Sequence, residues 1–221
     1  MSNTKNIKIG EWVNNGLNLF LNNFAELFPV FLIGELILIA AAYTRIGLFI
    51  LHGPVACSLF YIALKKVRGK KVEMNDIGEG FKIFVPAFLA GLLIMIFSGI
   101  GFVLLILPGI FVAIMYMFTF LLIIDKKKDF WDAMEISRKT VFENIPGFVG
   151  FGLVLGLVKL AGLIACGIGV LVTAPIAICA LAYAYVDIFD VKVEKVDPII
   201  EEMSKKEDPL ESLKDENEKK D

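Results

Sequence analysis

A stretch of 42 residues without a charged side chain, residues 83–124, constrains the fold of this 221-residue chain more than any other feature. As one continuous helix, the stretch would be roughly 63 Å long, at about 1.5 Å per residue. The hydrocarbon core of a bilayer is about 30 Å thick, so the stretch predicts two membrane spans. The predicted turn between them is the glycine-rich segment 98–101.

The rest of the chain repeats this pattern. Residues 27–64 and 144–186 are also long apolar stretches, and they divide near residues 43–47 and 166–169. Hydrophobic residues make up 57% of the chain, compared with about 45–50% in soluble domains. The sequence therefore predicts an all-α fold, a transmembrane bundle of six helices.

An Ile-Gly pair followed by an apolar segment and a proline occurs three times, which indicates three tandem helical hairpins. The prolines are Pro54, Pro108 and Pro175, and the repeat units are about 9–66, 72–126 and 129–189. Proline lacks a backbone N–H and crowds the preceding turn, so each is expected to kink its span. The kinks could line a central cavity or shape a compact bundle. Compact packing is favoured, because few polar groups accompany them.

An amphipathic segment precedes the first span of each unit. In unit one, Trp12 and Phe20 fall on an apolar face. In unit three, Phe130 and Met134 do so, after a candidate N-cap at Asp129. Such helices are typical of the membrane interface. The alternative is ordinary packing against neighbouring protein.

The basic residues predict the orientation of the chain. They concentrate at residues 65–71 and 126–128, and basic short loops favour the cytoplasm. We therefore expect a protein of the cell membrane with both termini cytoplasmic. The basic segments adjoin spans and lack interleaved aromatic residues, so anionic lipid headgroups are a more suitable partner than nucleic acid.

The chain is expected to divide into a membrane domain, residues 1–189, and a charged tail, residues 190–221. From Asp187 onward the sequence has 7 Lys and 13 acidic residues, a net charge of −6. Segments that are highly charged and poor in aromatic residues are typically disordered. A protein partner of the tail is the sharper alternative to a simple solvated tail.

Two charged residues fall inside predicted spans, Glu35 in the first and Lys159 in the fifth. Each costs roughly 2.5–3.5 kcal/mol to insert, so such residues face protein, water or each other. One hypothesis is that they pair across the bundle, helped by Gly152 and Gly156, whose spacing permits close helix approach. In the alternative, Lys159 extends outward and Glu35 is protonated or bonded to a hydroxyl.

The sequence indicates no catalytic, cofactor or metal site. His52 is the single histidine, and no Ser, Cys or Asp is placed by the sequence to act with it. The three cysteines show no CxxC spacing. The chain is therefore expected to be neither an enzyme nor a cofactor-binding protein.

A set of residues in the middle of the chain resembles a largely uncharacterised family of multi-pass prokaryotic membrane proteins, related to the membrane domain of some glycerophosphodiester phosphodiesterases. The residues are Leu107-Pro108-Gly109-Ile110, Tyr116, Phe120, Asp125, Ala133 and Ser137. The likeness covers roughly residues 10–190, although family members often carry an arginine where this chain has Met115. The phosphodiesterase chemistry belongs to a separate soluble barrel, so the resemblance implies no catalytic residue here.

Two functions follow as hypotheses. The first is a non-enzymatic membrane scaffold that organises lipid or a protein partner. The alternative is a small-solute transporter or channel that uses the interior of the bundle. Glu35 separates the two, because transport requires it in an accessible cavity whereas a scaffold requires it to be sealed by a partner.

Overall fold

The computed structural model describes residues 7–44, 46–164 and 169–190. Within these ranges every regular element is helical and there is no strand, which confirms the all-α prediction. The helices are α1 (Ile9–Asn22), α2 (Phe24–Tyr43), α3 (Gly47–Val67), a 3₁₀ helix (Met74–Gly78), α4 (Glu79–Lys82), α5 (Phe84–Leu104), α6 (Ile106–Met115), α7 (Thr119–Lys126), α8 (Phe130–Glu143), α9 (Ile145–Ile164) and α10 (Val170–Tyr185).

Six of the described helical segments are long and apolar enough to cross a membrane, which confirms the predicted six-span bundle. They are Phe24–Tyr43, Gly47–Val67, Phe84–Leu104, Ile106–Lys126, Ile145–Ile164 and Val170–Asp190. Each has 20 or 21 residues, close to the about 20 that a bilayer requires. The chain is a multi-pass membrane protein.

A short amphipathic element leads into the first span of each hairpin through a one-residue break. The breaks are at Asn23, Ile83 and Asn144, each with backbone angles outside the helical range. Asp129 has the extended backbone of an N-cap before α8, although its side chain makes no capping hydrogen bond. Each break lets the chain change direction between an amphipathic helix and a span. The internal repeat itself stays a prediction.

The apolar face of α1 is covered by protein. Trp12 and Phe20 are buried, and the Trp12 ring lies edge-on to the Phe151 ring with centroids 5.2 Å apart. Gly16 lies against α10, where a Cβ on Gly16 would be 2.5 Å from the Ala180 nitrogen. This is the packing alternative considered for the amphipathic segment. A location of α1 at the membrane surface stays a prediction.

Helices α3 and α5 approach each other most closely at two glycines. A Cβ built on Gly91 would lie 2.9 Å from the Gly53 Cα, and one on Gly53 would overlap the Ala87 carbonyl. In a membrane, apolar burial does not drive association of helices, so close backbone contact between small residues supplies much of the attraction. The Gly53–Gly91 crossing therefore fixes the second span relative to the third.

Ion pairs join the predicted cytoplasmic ends of the helices. Glu26 accepts hydrogen bonds from the Lys66 ammonium group and the Val72 N–H, both at 2.7 Å. Lys65 binds both carboxylate oxygens of Asp76 at 2.8 and 2.9 Å. The two lysines in the last turn of α3 are therefore neutralised by acidic groups of the protein itself.

The predicted turn of the second hairpin is wrong. Residues 98–101 are helical within α5, and the chain reverses at Leu105, which has an extended backbone (φ −165°, ψ 149°). Pro108 consequently lies in the first turn of α6, where N–H groups have no intrahelical partner. Its missing N–H removes no helical hydrogen bond there, so a mid-helix kink at Pro108 is not required. The fourth span is interrupted instead at residues 116–118, between α6 and α7.

The other two hairpins differ in how much of the turn is described. In the first, α2 ends at Tyr43 and α3 begins at Gly47, as predicted. The Gly47 N–H donates to the Thr44 side chain at 3.1 Å. In the third hairpin, residues 166–168 of the predicted turn lie outside the described residues.

The chain divides into two compact units, Met1–Ala184 and Tyr185–Asp221. Of the second unit the structure describes residues 185–190, which include a π-helical turn, Val186–Asp190. The rings of Tyr185 and Phe189 stack there, with centroids 4.7 Å apart. The predicted tail, residues 190–221, lies outside the described residues except for Asp190.

Candidate binding cavity within the bundle

A cavity of about 600 Å³ lies within the bundle. Most of its lining is apolar and comes from spans of all three hairpins. Four side chains with titratable groups also line it: Glu35 from α2, His52 from α3, Tyr116 from the α6–α7 interruption and Lys159 from α9. Because the prolines bring so few polar groups, the sequence favours compact packing over a cavity. In the structure the polar groups come from other positions on the helices.

The structure brings Glu35 and Lys159, the predicted pair, to this one cavity. Glu35 is half-buried, whereas Lys159 is exposed. Among the described residues, however, neither side chain makes a hydrogen bond or an ion pair within 4.0 Å. The two groups therefore share the lining of the cavity without forming a direct ion pair.

His52 is the member of this group that sequence reasoning set aside. Its ring lies edge-on to Phe120 with centroids 5.9 Å apart, and its Nδ1 is buried without a hydrogen-bond partner in the described part of the chain. Gly91 lies beside this ring, because a Cβ there would be in ordinary van der Waals contact with Nδ1, at 3.6 Å. His52 is set aside in the sequence analysis because it is considered there only as a catalytic base. Its position two residues before Pro54, inside an apolar span, was the available signal.

Tyr116 is positioned by the break between α6 and α7, and Ser137 of α8 holds that break. The Ser137 hydroxyl donates to the Met115 carbonyl at 2.8 Å and accepts from the Phe118 N–H at 3.2 Å. These bonds satisfy backbone groups that the interrupted helix cannot pair internally, as a membrane protein requires. The same break turns Tyr116 toward the cavity.

Two glycines of α9 shape the cavity differently. A Cβ on Gly152 would lie 2.6 Å from Cγ1 of Ile114, so this glycine permits close packing of α9 against α6. Gly156 also lines the cavity, but a Cβ there would meet no atom within 4 Å. Only the first glycine of the predicted GxxxG pair therefore serves helix approach, whereas the second leaves open volume.

A second, wholly apolar cleft of about 480 Å³ lies between α6 and α9. Its lining includes Leu107, Pro108, Phe111, Val149 and Leu153, and it shares Ile110 and Ile114 with the polar cavity. The two spaces therefore adjoin through the same two side chains.

The predicted proline kinks do not all coincide with the cavity. Pro54 and Pro175 lie inside α3 and α10, and kinks at these positions stay predictions. The Pro54 carbonyl accepts a hydrogen bond from Ser58 at 3.1 Å. In the part of the chain that the structure describes, no three His, Cys, Asp or Glu side chains are grouped to hold a metal ion.

The chain is similar to two mycobacterial proteins that are described as uncharacterized. It is 27% identical over 149 residues to uncharacterized protein Mb2590 of Mycobacterium bovis and, equally, to uncharacterized protein MT2637 of Mycobacterium tuberculosis. Each match covers 63% of this chain and 45% of the relative, so the chain spans less than half the length of these curated relatives. No protein-family model matches the chain. No solved structure matches it.

Proposed function

We propose that this multi-pass membrane protein binds a small molecule in the polar cavity of its bundle and carries it across the bilayer. One observation supports this most directly: Glu35, His52 and Lys159 line a single cavity of about 600 Å³ without hydrogen bonds to described protein groups. Ionisable residues at membrane depth are costly and commonly mark substrate pathways.

A purely structural role explains this arrangement less well. A buried polar group without a partner costs about 1–3 kcal/mol, and more when it is charged. A structural pair would gain stability from direct contact, yet Glu35 and Lys159 make no ion pair within 4.0 Å in the described part of the chain. A bound molecule with polar groups would supply the missing partners. The cavity volume also lies within the about 300–1,000 Å³ that is usual for small-molecule sites.

A non-enzymatic scaffold is the second candidate, and the surface of α8 favours it. Trp131 and Phe142 of this amphipathic helix are 59% and 46% exposed. Aromatic rings of this kind suit the boundary between headgroups and acyl chains. In this function the helix organises lipid, and the tail after Asp190 binds a protein partner.

The proposal also includes the orientation and the surface partners of the chain. We place the protein in the cell membrane with both termini cytoplasmic, because the basic ends of α3 and α7 adjoin each other. Within the described ranges, the side chains of Lys70, Lys71, Lys127 and Lys128 make no ion pair. They are available to anionic lipid headgroups on that side.

The proposed function is tested by measuring flux into liposomes that contain the purified full-length protein. The substrate panel comprises amino acids, amines, carboxylates, phosphate esters and lysophospholipids. We expect Gly156→Leu to abolish flux of the active substrate, because the new side chain extends into the open cavity. Glu35→Gln should reduce that flux at least tenfold, about the effect of losing one charged contact.

The matched control is Gly99→Leu. Gly99 lies on the exposed face of α5, and a Cβ there also meets no atom within 4 Å. This variant should transport like the unmodified protein. If no panel member is transported, or if Gly156→Leu transports normally, the scaffold becomes the preferred function.

A further inference from the structure

We infer that the molecule bound by this protein is a zwitterionic amphiphile. Its headgroup lies between Glu35 and Lys159 in the polar cavity, and its acyl chain lies in the apolar cleft between α6 and α9. The inference rests on the proposed function, that the cavity binds a molecule, and adds the chemical class of that molecule.

The headgroup class follows from the two charges. Glu35 and Lys159 line one cavity, and neither forms a hydrogen bond or an ion pair with the described residues. A headgroup that carries both an ammonium and an acidic group satisfies them together, because the ammonium binds Glu35 and the acidic group binds Lys159. An anionic headgroup would pair with Lys159 but leave the Glu35 carboxylate repelled and unpartnered. The His52 Nδ1 supplies a further polar contact.

The acyl chain follows from the cleft. The cleft is lined by apolar residues alone and adjoins the polar cavity at Ile110 and Ile114. At its outer edge, Leu107 is 79% exposed and Leu153 is 48% exposed, so the cleft opens to the outside of the bundle. Within a membrane span, that outside is lipid. A polar space that adjoins a lipid-facing apolar space matches a molecule with a polar head and an apolar chain.

A small soluble zwitterion is the competing occupant, and it fits less of the site. It would fill the polar cavity but leave the cleft of about 480 Å³ without contacts. The apolar lining would then lose the dispersion contacts that a chain provides. Glu35 lies 11 residues into α2, about 17 Å from its first residue, which places a bound headgroup well inside the bilayer.

Native mass spectrometry of the full-length protein, purified in a non-ionic detergent, tests the inference with three probes. Lysophosphatidylethanolamine with a 16-carbon chain is the zwitterionic amphiphile. Phosphorylethanolamine provides an ammonium and a phosphate group without the chain, and lysophosphatidylglycerol provides the same chain with an anionic headgroup. We expect the first probe to bind at least about tenfold more tightly than either of the others.

Variants of the cavity and of the cleft separate the contributions of head and chain. Glu35→Gln should remove the preference for the zwitterionic over the anionic probe. Lys159→Gln should weaken both chain-bearing probes at least about tenfold. Val149→Trp narrows the cleft, so it should weaken binding of the chain-bearing probes and leave binding of phosphorylethanolamine unchanged.

Gly156→Leu should abolish binding of all the probes, whereas Gly99→Leu should retain it. Helical circular dichroism and a monodisperse elution profile confirm that each variant is folded.

The results distinguish a failure of this inference from a failure of the proposed function. If phosphorylethanolamine binds as tightly as the 16-carbon probe, or if Val149→Trp has no effect, the acyl-chain assignment is overturned while the proposed function stands. If the anionic probe binds more tightly than the zwitterionic one, the headgroup assignment is overturned. If Gly156→Leu changes neither binding nor flux, the cavity is not a binding site and the proposed function fails as well.

Discussion

The Arg68 guanidinium group binds the Asp125 carboxylate through two hydrogen bonds, of 2.5 and 3.1 Å. Arg68 immediately follows α3, and Asp125 lies in the last turn of α7. The contact therefore places the ends of the first two hairpins on one side of the molecule. Tandem hairpins whose ends meet in this way return the chain to the same side after each pair of spans.

Replacing Arg68 with alanine is expected to destabilise the protein by about 1–2 kcal/mol, the cost of losing a charge-assisted hydrogen bond. Asp125 is the more buried partner, with a side chain 10% exposed, and it retains Lys126 at 3.4 Å. Thermal unfolding in detergent measures the change. Lys128→Ala, which removes an exposed lysine, is the control and should have little effect. Equal stability of the two variants would show that the Arg68–Asp125 contact is unimportant.

Substituting Gly53 with alanine should cost about 1–3 kcal/mol, the usual penalty of overpacking. The added methyl group overlaps the Ala87 carbonyl, which is backbone of α5 and cannot move away alone. Gly99→Ala is the matched control. It adds the same methyl group to a transmembrane glycine with no neighbour within 4 Å. Chemical denaturation in mixed micelles compares the two, and a tolerated Gly53→Ala would argue against a close α3–α5 crossing.

The variant Ser137→Ala removes both hydrogen bonds that hold the break between α6 and α7. Ser137 is fully buried, so we expect a loss of about 1–3 kcal/mol in unfolding free energy. The break also positions Tyr116, so binding in the cavity should weaken. Ser98→Ala is the informative comparison, because the Ser98 hydroxyl is buried without a hydrogen-bond partner among the described residues. That change should be neutral or stabilising, and similar effects of both would contradict the role assigned to Ser137.

Lowering the pH should destabilise α8, because it protonates the Glu135 carboxylate. Hydrogen bonds from Arg138 and Lys139 lower the pKa of this carboxyl below its ordinary value of 4.5. A group whose pKa is lowered on folding stabilises the folded state above its unfolded pKa. That contribution is lost as the pH falls through the folded value. The thermal midpoint should therefore decline below about pH 4.5, with a smaller decline in Glu135→Gln. Identical pH profiles would exclude Glu135 as a contributor.

The number of spans could be predicted from the sequence because it depends on length and apolarity alone. The turn of the second hairpin could not. Glycines such as Gly99 and Gly101 suggest a break, but a membrane helix tolerates them because its backbone must remain hydrogen-bonded in lipid. The chain instead reverses at Leu105, which places Pro108 where its missing N–H is harmless.

The cavity could be predicted only in part. Glu35 and Lys159 could be identified from the sequence because charged side chains are costly in lipid. The structure places both in the lining of one cavity. His52 and Tyr116 join them because of contacts between distant segments, namely the Gly53–Gly91 crossing and the hydrogen bonds of Ser137. No local pattern in the sequence encodes those contacts. The arrangement of the cavity therefore depends on tertiary packing.

The reversal at Leu105 gives the second hairpin an apolar, exposed turn. Val103, Leu105 and Leu107 are 88%, 69% and 79% exposed, and no polar side chain lies between Gly101 and Tyr116. Exposure of such an apolar turn is favourable when acyl chains surround it and unfavourable when it projects into water. During membrane insertion, the second hairpin therefore moves an apolar turn across the hydrocarbon core. A hairpin with a charged connection has to move hydrated charges across it.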